Sequence, residues 1–160
     1  MIESLLAVFV LSIGIVGTIG LLVSSMKNSM DARDNIIATN MAQEGTELVR
    51  NIRDNNVAAG APSAFANIPG GNCYMSYNDP ALTCGGSPTY VLNLSSGYYA
   101  HAGGTVTKFK RKIIIDDTVA NQRTVTSEVI WLGAGGIFPN VANCTVAKKC
   151  VYVQAILTAR

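Results

Sequence analysis

The stretch MIESLLAVFVLSIGIVGTIGLLVSSMK, residues 1–27, decides the fold. Between Glu3 and Lys27 it carries no charge, and from Leu5 to Val23 only Ser12 and Thr18 interrupt apolar or small side chains. As a helix, such a run is about long enough to cross the hydrocarbon core of a bilayer, and it cannot remain bare in water. At Lys27 the composition turns polar, then rich in Gly, Asn, Ser and Thr, for about 130 residues. That length buries a modest core of its own. A membrane-type helix and a soluble head are therefore parts of one 160-residue chain.

Beyond Lys27 the helical pattern continues. Met30, Ile37, Met41, Leu48 and Ile52 recur at spacings of seven and four, one stripe of a helix. One helix from Met1 to about Asp54 is predicted, roughly 80 Å long at 1.5 Å per residue, its first half protruding from the head. Glu47 with Arg50, and Arg50 with Asp54, are spaced to pair on its solvated face. From Val57 to about Pro88 the sequence reads as loop, with a turn at Asn67-Ile-Pro-Gly-Gly. Strands follow by alternation: Tyr90 to Leu94, Thr105 to Ile115, Thr124 to Leu132 and Cys150 to Thr158. Phe109, Ile113 and Ile115, then Val125, Val129 and Trp131, then Val151, Val153, Ala155 and Leu157 share the inward face. An antiparallel sheet with one apolar face needs cover, which the second half of the helix supplies. The fold class is α+β. Its parts are an apolar membrane or filament-core half-helix at 1–26, the amphipathic half at 27–54, a connecting region with one strand at 55–104, and the sheet of the head at 105–160.

The net charge of +2 is too small to name a partner by itself. Cys73, Cys84, Cys144 and Cys150 all lie in the head and none has C-x-x-C spacing, so disulfides are expected rather than zinc. That places the head in an oxidising compartment. Of three connectivities, Cys73–Cys84 with Cys144–Cys150 is expected, because short loops close most readily.

The N-terminus fits neither a signal peptide, which opens with positive charge, nor an ordinary anchor, because Glu3 would sit at the bilayer edge with no basic neighbour in sequence. A free α-amino group, its own or that of an identical neighbour, would neutralise it. Axially offset stacking of identical chains brings one terminus to the next glutamate, and an offset stack is a filament. The apolar half-helix, with Leu5, Leu6, Val8, Phe9, Leu11, Ile13, Ile15 and Val16, then supplies the lateral contacts.

The segment Met1-Ile-Glu-Ser-Leu-Leu-Ala-Val-Phe-Val-Leu-Ser-Ile-Gly-Ile-Val-Gly resembles the N-terminal methylation segment of type IV pilins and the related pseudopilins. The resemblance covers about the first third of the chain. It implies a leader removed by a membrane-embedded prepilin peptidase, a methylated N-terminus, storage in the inner or cytoplasmic membrane, and assembly by dedicated machinery into an extracellular pilus. In that family the glutamate is fifth in the mature chain; Glu3 is third, which implies two mature residues ahead of Met1. Adhesion and motility are roles that such a fibre would serve. Gly14, Gly17 and Gly20 each cost about 1 kcal/mol of helix propensity relative to alanine. Close helix packing through small residues explains them. So does loosening of the helix in the fibre, which the resemblance implies, although bacterial pilins usually carry a proline there and this chain does not.

Other motifs are weaker. Lys108, Lys110, Arg111 and Lys112, with Lys148 and Lys149, suggest a patch for DNA phosphates; the plainer reading is a solvent-facing strand whose lysines discourage edge pairing. His101 has no recognisable nucleophile partner and reads as a loop residue. Asp116 and Asp117 suggest calcium, yet a plain turn suits them better. Asn93-Leu-Ser and Asn143-Cys-Thr match the glycosylation pattern. Tyr74, Tyr77, Tyr98 and Tyr99 serve adhesion or packing equally well. No catalytic set and no cofactor motif can be assembled, so the expectation is a structural subunit, the main pilin of a fibre, and not an enzyme. A minor pilin or a type II secretion pseudopilin shares the helix. A monomeric, membrane-anchored binding module is the alternative of another class, and it predicts that Glu3→Ala is tolerated.

Overall fold

The computed structural model describes residues 2–86, 90–133 and 135–159. Met1, where the expected helix begins, and Pro88, where the expected loop ends, lie outside them. The backbone divides into two compact units, one up to Asp34 and one from Asn35 onward.

A single helix, α1 (Ile2–Ala58), runs through the first unit and into the second. Every side chain from residue 2 to residue 30 is exposed. The helix ends four residues beyond the expected Asp54 because the asparagines there serve it rather than stop it. Asn55 Nδ2 donates to Asn51 Oδ1, and Asn56 Nδ2 reaches forward to the carbonyls of Ala64 and Ala66. The stop is Gly60, at φ 65°, where Gly60 N–H bonds Val57 O and Ala61 N–H bonds Asn56 O. This is the paired bonding of a glycine-terminated helix.

In the second unit α1 lies under a seven-stranded, wholly antiparallel sheet: β1 (Gly71–Tyr74), β2 (Thr83–Cys84), β3 (Val91–Ser95), β4 (Tyr98–Ala100), β5 (Thr105–Asp116), β6 (Gln122–Ile130) and β7 (Cys150–Thr158). The long β5 organises it. One edge of β5 pairs with β6, which carries β7. Its other edge pairs with β3 near the strand's start and with β1 near its end, and these carry β4 and β2. The hairpin of β1 and β2 lies where loop was expected; strands of four and two residues are too short to show alternation, and pairing to β5 makes them strands.

The alternation read from sequence places the inward residues correctly on β5, β6 and β7. The helix stripe is shifted. Met30 is exposed and Ile37, Leu48 and Ile52 are half-buried at the margins, while the buried line is Ala38, Met41, Ala42, Gly45, Thr46 and Val49. Small residues form this line because the sheet comes close. A β-carbon on Gly45 would stand 2.2 Å from Ser127 Oγ and 3.0 Å from Ser127 Cβ. Two apolar clusters lie on either side of that level. One gathers Val49, Ile68, Ile113, Val125 and Leu157; the other gathers Ala38, Met41, Leu92, Phe109, Val129 and Trp131.

Candidate assembly surface

The N-terminal half of α1 is apolar on all sides. At about 100° per residue, Leu5, Leu6, Val8, Phe9, Leu11, Ile13, Ile15 and Val16 cover roughly two thirds of the circumference. Gly14 and Gly17 fall within the remaining arc, and Gly20 falls inside the covered one. The exposure of the eight apolar side chains ranges from 50% at Ile15 to 71% at Leu5. A helix apolar all round is made to be surrounded. The two hydroxyls within the apolar run from Leu5 to Val23 are turned inward on the backbone: Ser12 Oγ donates to the carbonyls of Val8 and Phe9, and Thr18 Oγ1 to that of Ile15. Such a surface offers lipid or protein few unmet polar groups. Of all helices described, this one is long and apolar enough to cross a membrane. The helix is continuous through its three glycines, and a β-carbon on any of them meets nothing within 4 Å. Nothing inside the chain therefore requires glycine there. Glu3 stands exposed in the first turn, where the helix dipole favours a carboxylate.

The expected polyanion patch is not formed. Lys108, Lys148 and Lys149 are exposed, but Arg111 is fully buried. It faces α1, where its guanidinium pairs with Glu44 at 3.1 Å and donates to Met41 O at 3.1 Å and Met75 O at 2.7 Å. Lys110 and Lys112 lie on the opposite face of β5, which the segment after β6 covers. Lys110 Nζ donates to Gly136 O, and Lys112 sits over the Phe138 ring and pairs with Glu128 at 2.9 Å. Burial pushes the Glu128 carboxyl up, while Lys112 holds it down. The run of basic residues concealed this because alternation alone does not reveal that both faces of a strand are covered.

Both expected disulfides are present, Cys73–Cys84 and Cys144–Cys150. The first joins directly paired residues of β1 and β2; the second closes the loop that leads into β7. Glu128 lies beside Cys144 and Cys150, but both sulfurs are spent in the disulfide, which leaves one carboxylate and no metal-ligand set at that point. Glu47 and Arg50 pair as spaced, and Asp54 pairs with Arg53. Asp116 accepts from Thr118 N–H in the β5–β6 turn, a bond that lowers its carboxyl, while Asp117 closes over Gly70. Asn143 is exposed in a short 3-10 turn, whereas Asn93 is half-buried in β3.

His101 is packed rather than free in a loop. Its Nδ1 meets Val91 O at 3.2 Å and its ring stands edge-on to Tyr74 at 5.0 Å. Burial first, and the Arg111 charge second, lower its pKa to about 4. The tyrosines divide. Tyr99 packs on Phe109 and Tyr74 on Tyr90, while Tyr77 and Tyr98 form an exposed pair with ring centroids 4.9 Å apart. No motif in the sequence announces that pair.

A long N-terminal helix with an exposed apolar first part, its later part packed under an antiparallel, disulfide-bonded sheet, is a pilin-like architecture. The helix suggests membrane anchoring and the disulfides a location outside the cytoplasm. Comparison with protein-family models, with curated proteins and with solved structures gave no match.

Proposed function

We propose that this chain is a structural subunit, the main pilin, of an extracellular type IV-like pilus, and that it polymerises through the first half of α1. The observation that carries the reading is the all-round apolar helix from Leu5 to Val23, no part of which the chain itself buries. Covering each of its large side chains is worth on the order of 1–2 kcal/mol. That makes assembly with identical copies strongly favourable in water and the membrane a store for unassembled subunits. Glu3, the sole charge ahead of Lys27, carries the register of assembly through pairing with a neighbour's α-amino group. Gly14, Gly17 and Gly20, free of any intrachain duty, suit close packing or loosening of the helix in the fibre. Prepilin peptidase and the assembly machinery enter as partners through the resemblance, and no catalytic role is assigned.

Electron microscopy of fibres sheared from cells, with mass spectrometry of their N-terminal peptide, tests this. The expected result is that this chain dominates the fibres, with a methylated end two residues before Met1. A trace component points to a minor pilin or pseudopilin. Recovery only from the membrane fraction overturns the reading in favour of an anchored binding module. Glu3→Ala should abolish or sharply reduce fibres while leaving the head folded; normal fibres from that variant alone would remove Glu3 from assembly.

A further inference from the structure

A cavity of about 380 Å³ opens beside β1 and β2, lined by Tyr74, Ser76, Asp79, Thr83, His101 and Ala102 among others. Its walls are built polar groups. Ser76 Oγ accepts from His101 N–H at 2.9 Å, and Asp79 Oδ2 accepts from Ser76 N–H at 2.7 Å. The second oxygen of Asp79 and the hydroxyls of Tyr74 and Thr83 remain for a ligand, one acceptor and two groups that both donate and accept. Asp79 supplies the formal charge of the lining, while the buried guanidinium of Arg111 lies outside the lining and is paired with Glu44. An anion is repelled by such a site, and a neutral molecule rich in hydroxyls, which donate to the carboxylate, matches it. The same two segments that Ser76 and His101 join also carry Tyr77 and Tyr98, whose exposed rings, tilted 33° to each other, offer an amphipathic platform beside the cavity.

We propose that this cavity binds a neutral hydroxylated ring, a hexose unit, with Asp79 accepting from its hydroxyls and the Tyr77–Tyr98 pair bedding the next ring of a glycan. Volume and lining fit a small-molecule site with few convergent polar groups. The site is independent of assembly, so it stands or falls apart from the filament reading.

The chain has one histidine, which makes the His101 imidazole an unambiguous NMR reporter. The full chain is titrated in phosphocholine micelles, which carry no sugar headgroup, with methyl glycosides of glucose, galactose, mannose and N-acetylglucosamine and with the matching disaccharides. At least one glycoside should shift the imidazole saturably at roughly millimolar concentration. Asp79→Asn, which keeps an acceptor for Ser76, should weaken that binding about tenfold or more. Disaccharides should bind more tightly, and Tyr77→Ala and Tyr98→Ala should erase that gain while leaving the monosaccharide affinity unchanged. Disaccharides that bind no better would assign the cavity to free sugars and overturn the role of the tyrosine pair. The absence of saturable shifts across the panel, or binding indifferent to Asp79→Asn, overturns the site.

Discussion

Gly45→Ala probes the closest approach of helix and sheet. The new β-carbon would stand 2.2 Å from Ser127 Oγ, 3.0 Å from Ser127 Cβ and 3.2 Å from Arg111 Cδ. The hydroxyl can rotate away. Ser127 Cβ cannot, because it belongs to the centre of β6, paired on both sides with Ile113 and Val153. The Arg111 stem is also fixed, since its far end is held by Glu44 and two carbonyls. Alanine gains about 1 kcal/mol of helix propensity, whereas overpacking of this kind costs about 1–3 kcal/mol. The expected net loss is about 1 kcal/mol. In urea unfolding followed by tryptophan fluorescence, with m of about 1–3 kcal/mol/M, the midpoint should fall by roughly 0.5 M. The decisive comparison is a double-mutant cycle with Ser127→Gly, which removes the two nearest obstructing atoms. In that background Gly45→Ala should be neutral or stabilising. Equal losses in both backgrounds, or a gain in the parent chain, would refute the close-approach argument.

Stability should also depend on pH through His101. Its folded value, lowered to about 4 against an ordinary 6.5, means that the unfolded chain takes up the proton first. Stability is therefore whole above about pH 6.5 and lost as pH falls towards 4, by up to about 3 kcal/mol and by about half that after allowance for partial exposure. Glu128, raised by burial, works in the opposite sense, so the measurement is the difference between the parent chain and His101→Gln in urea melts across that window. Replacing Cys73 and Cys84 together by serine should cost about 3 kcal/mol, and the shorter Cys144–Cys150 loop about 2 kcal/mol, read as lowered thermal midpoints. Arg111→Met should cost about 2–4 kcal/mol, because two carbonyls and Glu44 lose a buried partner. Replacing Lys148 and Lys149 by alanine should change stability by no more than about 0.5 kcal/mol, because both are exposed.

Much of the head was legible because β5, β6 and β7 are long strands whose large apolar side chains alternate, so period two shows through Phe109, Ile113 and Ile115 and again through Val151, Val153, Ala155 and Leu157. The disulfide pairing followed from loop length. Arg111 shows where this reading fails. It has the parity of the inward face, yet its charge and its basic neighbours suggested solvent; only the carboxylate and carbonyl brought by α1 and the carbonyl of Met75, just after β1, make its burial tolerable. The cavity beside Asp79 was equally hidden, since it is assembled from residues 25 positions apart.

By itself the sequence determined the long helix, its exposed apolar half with Glu3 at the start, and the antiparallel head, because periodicity and composition act locally and are written residue by residue. Tertiary structure decided which helix residues meet the sheet, the fate of the basic run, the short hairpin of β1 and β2, and the pairing of Tyr77 with Tyr98. Those depend on how closely two elements approach and on partners distant along the chain, and close packing sets both only when the whole head has folded.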